Sequence, residues 1–159
     1  MDDWQVESGK RKAVFISSTS KDLGNCRKVV AKALLDSGIY PQYQDHFGPD
    51  HREIEQMIFE KIRSSDAVIC LIGHYCGNIP TESNYPNHSF TQIEFDIAKQ
   101  LQKQTYIFIT SEDYQYAQAQ NESYEKKKIQ EDYRNNIISS RLRYDFFSSD
   151  EELERMIRK

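Results

Sequence analysis

Short apolar runs punctuate the chain. Ala13-Val14-Phe15-Ile16, Ala67-Val68-Ile69-Cys70-Leu71-Ile72-Gly73 and Thr105-Tyr106-Ile107-Phe108-Ile109 are nearly continuous. Runs of that kind predict strands covered on both faces, as in a parallel sheet. Ile39 to Gln44 is weaker and holds Pro41, which predicts an edge strand. Leu142-Arg143-Tyr144-Asp145-Phe146-Phe147 alternates and predicts a last, half-exposed strand. Between these runs the apolar residues change to helical spacing. The sets are Leu23, Cys26, Val30, Ala33 and Leu34; then Ile54, Met57, Ile58 and Ile62; then Phe90, Ile93, Ile97 and Leu101; and finally Leu153, Met156 and Ile157. A long charged helix is expected over about residues 121–137. Strands alternating with helices predict an α/β fold with helices on both faces of a parallel sheet. Five strands in this sequence predict a flavodoxin-like arrangement in the order 2-1-3-4-5.

Local signals set the boundaries. The hydroxyl-rich turn Ser17-Ser18-Thr19-Ser20-Lys21-Asp22 is expected to cap the first helix, and Ser37-Gly38 to end it. Asp50-His51-Arg52-Glu53 and Ser89-Phe90-Thr91-Gln92 both read as capping boxes. The second of these opens a helix expected to reach about Lys103. His74 to His88, with Gly77, Pro80 and Pro86, is a loop of about fifteen residues, a length that is usually functional or disordered in a compact domain.

The helix from Ser89 contains an anomaly. Glu94 falls inside the apolar arc, one turn after Phe90 and one turn before Ala98, while Gln92, Asp96, Lys99 and Lys103 lie opposite. A carboxylate aimed at a core needs a partner or a purpose. Either it is a buried acid bonded to backbone N–H groups or an arginine, or it belongs to a site. In a flavodoxin-like sheet, ligands bind beyond the carboxyl ends of the strands near the switch point. The Ser17–Asp22 turn, the 74–88 loop and the N-terminus of the Glu94 helix are expected to meet there. That helix end also favours anionic groups.

Composition narrows the function. The 159 residues make one domain, with residues 1–11 a polar, flexible tail and 12–159 the folded part. A net charge of -4 argues against nucleic acid as a partner, and Lys10-Arg11-Lys12 and Lys126-Lys127-Lys128 read as solvated charge. No run suits a membrane span or a signal peptide, and three cysteines show no framework spacing. The chain reads as cytoplasmic. Cys70, His74 and Cys76 do not follow a usual zinc pattern, so no metal is expected. Neither a GxxxxGK[ST] nor a GxGxxG loop is present. His46, His51, His74 and His88 have no partner that spacing reveals.

Val14-Phe15-Ile16-Ser17-Ser18-Thr19-Ser20-Lys21-Asp22-Leu23 resembles the opening of a TIR-like family of unknown function, often found at the N-terminus of STAND/NACHT-type NTPases. Ser65-Asp66-Ala67-Val68, Gly73-x-Tyr75-x-Gly77-x-x-Pro80, Ser89-x-Thr91-x-x-Glu94-x-x-x-Ala98 and Phe146-Phe147-Ser148-Ser149-x-Glu151-x-Leu153 fit the same pattern. The resemblance implies an N-terminal effector domain of a longer, innate-immune or anti-phage protein. It implies NAD as substrate with no further cofactor, homotypic self-association and activation by clustering. TIR domains that cleave the nicotinamide–ribose bond, and related nucleoside deoxyribosyltransferases, carry their chemistry on a Glu early in this helix, which Glu94 matches. By the same resemblance, Ser17, Ser18, Thr19, Asp22 and Ser89 would hold ribose and phosphates. Tyr75 and Phe90 would wall the nicotinamide, and Asp45 and Phe47 would bind substrate from the loop after the second strand. A non-catalytic self-association module and a nucleoside N-glycosidase or deoxyribosyltransferase-like enzyme are the alternatives.

Overall fold

A computed structural model describes residues 12–46, 51–81, 83–116 and 120–158. The elements run β1 (Ala13–Ser17), α1 (Gly24–Asp36), β2 (Tyr40–Gln42), α2 (His51–Arg63), β3 (Ala67–Ile72), α3 (Phe90–Gln100), β4 (Gln104–Thr110), α4 (Tyr124–Ile138), β5 (Tyr144–Phe147) and α5 (Asp150–Arg158). The five strands are all parallel and lie in the order β2-β1-β3-β4-β5. This is the flavodoxin-like α/β arrangement predicted from the order of apolar runs. β2, the strand with Pro41, is an edge, where a missing amide donor is tolerated.

The alternation within β3 explains the double cover. Val68, Cys70 and Ile72 point into a cluster with Ile54, Ile58 and Ile62 of α2, Phe90, Ile93 and Ile97 of α3, and Tyr133 and Ile137 of α4. Ile69 and Leu71 point the other way, to Cys26, Val30 and Leu34 of α1 and Leu153 of α5. Each fully buried side chain such as Ile58 or Ile93 contributes about 1.5–3 kcal/mol. Because α1 and α3 cover opposite faces, the chain leaves β1 and β3 in opposite directions. Their carboxyl ends therefore frame a crevice.

Helix ends agree with the sequence in part. Gly38 takes φ 79°, and the Ile39 amide reaches back to Leu34 O at 2.9 Å, closing α1 as expected of Gly. Ser89 caps α3, accepting from the Gln92 amide at 3.2 Å. The return half of that box is not made, because Gln92 Oε1 is buried without a partner. The N-cap expected at Asp50 and the 1–11 tail lie outside the described residues.

Two boundaries differ. The hydroxyl turn does not cap α1: Leu23 occupies the N-cap and gives no side-chain bond. Ser17 Oγ bonds Glu94 instead, and Thr19 lines the crevice. α3 ends at Gln100 rather than near Lys103, because Gln102 turns left-handed at φ 56° and the Lys103 amide bonds Ala98 O at 3.0 Å. A glycine suits that position better than a residue with a Cβ. Gln102→Gly is expected to raise stability by about 0.5–1 kcal/mol in chemical denaturation, with no effect on the site.

Candidate functional site

Ser17 ends β1 and, by strand alternation, shares the face of Phe15 that α3 covers. The buried face of α3 carries Glu94 to the same point. Ser17 Oγ donates to Glu94 Oε1 at 2.6 Å. The second oxygen, Oε2, lies 2.7 Å from His46 Nε2. A carboxylate held on both oxygens, one by an imidazole N–H, is charge-assisted on each side. The pair is deeply buried, with Glu94 1% and His46 8% exposed.

Neighbouring elements hold His46 in place. Its ring stacks on Phe90, with centroids 5.0 Å apart and planes 20° from parallel. Asn78 Nδ2 donates to the His46 carbonyl at 2.8 Å, and the Asn78 carbonyl accepts from the Phe90 amide at 3.1 Å. One residue of the long loop thus fixes both His46 and the start of α3.

His46 forms part of the wall of a cleft of about 480 Å³. Thr19 and Asp22 line one side of it, Tyr75, Gly77 and Asn78 another, and Glu122 and Lys126 a third. Glu94 stands behind His46 and does not line the cleft. The turn after β1 places Thr19 and Asp22 on this wall, with Ser18 buried next to them in the chain. Ser18 Oγ, Thr19 Oγ1 and Asp22 Oδ2 are buried with no hydrogen bond of good geometry. Such groups are uncommon in a folded interior and mark a place where a ligand or water is expected.

Burial pushes the Asp22 carboxyl up from 3.8 to about 6; nearby Thr19 and the backbone amides temper the rise, and the Glu122 charge adds to it. The folded state therefore holds this proton more tightly than the unfolded chain does. Stability should fall as pH rises from about 4 to about 6, and the full cost should persist above that window. Asp22→Asn is expected to stabilise the protein by about 2–3 kcal/mol at neutral pH, and to flatten the slope of stability between pH 4 and 6. Urea unfolding at pH 4 and pH 7 measures both.

The expected site residues divide by position. Thr19, Asp22 and Tyr75 line the cleft, whereas Ser17 is buried with Glu94 behind His46 and Ser18 is buried without lining the cleft. Ser89 and Phe90 are fully buried behind it: the Ser89 hydroxyl caps α3 and pairs with Thr91 Oγ1 at 3.0 Å, and Phe90 backs His46. Asp45 turns aside to Arg27 at 3.3 Å, whose guanidinium lies over Tyr43. Phe47 lies outside the described residues. Cys70 is a core residue in mid-strand, and His74 bonds Tyr116 Oη at 2.6 Å in a cluster closed by Thr110 and Arg134. Among the described residues no helix is long and apolar enough to cross a membrane.

Spacing did not reveal His46, Asn78, Glu122 or Lys126. Their partners lie far away in sequence, 48 residues for His46 and Glu94. The one available signal was position, since His46 follows β2 at the ligand edge of the sheet. Lys126, read as solvated charge, is part of the cleft wall.

The family model described as "Domain of unknown function (DUF4062)" matches residues 13–159. It makes no link to TIR domains or NTPases. No curated protein matches the chain. Among solved structures, a 2-desoxiribosyltransferase from Leishmania mexicana aligns at TM-score 0.48 and 15% identity, covering 82% of this chain and 99% of that one.

Proposed function

The chain belongs to the DUF4062 family, a domain of unknown function, so its activity must be argued from the site, and we propose that the cleft hydrolyses the N-glycosidic bond of a nucleoside or nucleotide. The observation that carries this reading is the buried Glu94–His46 pair, with His46 facing the cleft and Asp22 beside it. Cleavage at an anomeric carbon passes through a cationic sugar, which fixed negative charge in a water-poor site stabilises. His46 takes a proton from the attacking water as the water oxygen bonds C1′ and the C1′–N bond breaks. Glu94 holds the imidazole in orientation and balances the positive charge it acquires. Asp22, with its carboxyl lifted to about 6, gives a proton to a purine leaving group. Nicotinamide leaves NAD already neutral and needs none. NAD is the first substrate to assay, in keeping with the resemblance, and adenosine is the second. Activation by clustering as an effector domain of a larger defence protein is part of the same proposal.

A second reading rests on one observation. With both oxygens bonded, Glu94 also fits a purely structural acid in a self-association module. Incubating concentrated or artificially clustered protein with NAD and with adenosine, and following free base by chromatography, separates the two. Base from either substrate supports hydrolysis. None from either, with the fold verified, overturns it in favour of the module.

A further inference from the structure

The cleft already holds an anion of the protein's own. The backbone amides of Cys76 and Gly77 donate to Glu122 Oε1 and Oε2 at 2.8 and 2.9 Å. Consecutive amides aimed at one point form a nest, a recurrent cradle for phosphate-like groups. Gly77 sits at φ 77°, and a Cβ there would come within 2.9 Å of Thr19 Cγ2, so the nest requires glycine and lies against the turn after β1. Thr19 turns its methyl to the nest and its hydroxyl toward Asp22. Lys21 and Lys126 line the same cleft. Two amides and two ammonium groups offer more donors than one carboxylate can use, and they suit a dianion with more acceptor oxygens.

We infer that the Cys76–Gly77 nest is a subsite for the phosphate of a nucleotide, occupied by Glu122 in the free protein and released when the ligand binds. This rests on the reading of the cleft as a nucleoside or nucleotide site, and narrows it to nucleotides. Glu122 competes with the ligand, so its charge lowers affinity for phosphorylated compounds alone. Removing that charge also relieves Asp22, whose carboxyl Glu122 helps to raise.

Calorimetric titration of inorganic phosphate, AMP and adenosine into wild type and Glu122→Gln tests the inference without turnover. AMP should bind Glu122→Gln about tenfold or more tightly than wild type, with adenosine unchanged. Inorganic phosphate should gain in the same direction. In the Glu122→Gln background, Lys126→Met should reverse most of the gain. The Cys76 and Gly77 amide resonances should shift on adding AMP and not on adding adenosine. Equal AMP affinity in both proteins, or an equal gain for adenosine, overturns the inference. Glu122→Ala gives the same comparison if thermal melting shows the Gln variant misfolded. The two readings fail separately. AMP held at the nest with no base released from any substrate refutes the hydrolase, and base release together with an AMP affinity that is indifferent to Glu122 refutes the nest.

Discussion

Glu94→Gln is expected to lower base release about a thousandfold while leaving the fold intact. The glutamine carbonyl still accepts from Ser17 Oγ, which sits 2.6 Å from the present oxygen. Its amide can donate to His46 once the imidazole presents a bare nitrogen there. Packing is unchanged, since the two side chains share a shape. The lost element is the negative charge. Without it, the charge bonded to His46 that balances an arriving proton is gone. Removing one preorganised electrostatic group typically costs about 10²–10³ in rate, and fixing the wrong imidazole tautomer adds to that. Stability should stay within about 1 kcal/mol of wild type, because no buried group loses a partner. Single-turnover base release and urea unfolding, run on the same preparation, read both numbers.

His46→Ala should act on stability as well as on rate. It removes the donor 2.7 Å from Glu94 Oε2 and the ring stacked on Phe90. A buried carboxylate oxygen then has no partner, at a cost of about 3 kcal/mol or more. Adding Glu94→Gln should recover a large part of this, because the stranded charge is gone. A coupling of about 1–3 kcal/mol between the two positions is therefore expected in a double-mutant cycle of unfolding free energies. Additive effects would show that the two side chains do not act as a pair.

The fold was legible because its signals are local. Unbroken apolar runs such as Ala67–Ile72, short, β-branched and bounded by turn residues, read as central strands, and the alternation of periods between them dictates the crossovers. Glu94 was legible for a similar reason: a polar residue in an apolar arc is visible within one helix. Its partners were not, because a hydrogen bond between β2's loop and α3 leaves no trace in spacing. The Ser17–Asp22 turn shows a subtler limit. Serine and threonine before a helix read as caps, yet Leu23 takes the cap here, Ser17 bonds Glu94 and Thr19 lines the crevice. Composition cannot separate those two uses, since both need the same short polar side chains. Lys126 was misjudged for a related reason: one lysine in a charged helix looks like its neighbours until the fold places it against a cleft.

The central claim is that the Glu94–His46 pair breaks an N-glycosidic bond. Its most direct test is free nicotinamide from NAD, measured side by side for clustered wild type and clustered Glu94→Gln at equal concentration, with matching circular dichroism. Steady release by wild type and loss of about three orders of magnitude in the variant is the predicted result. Equal release by the two proteins would contradict it.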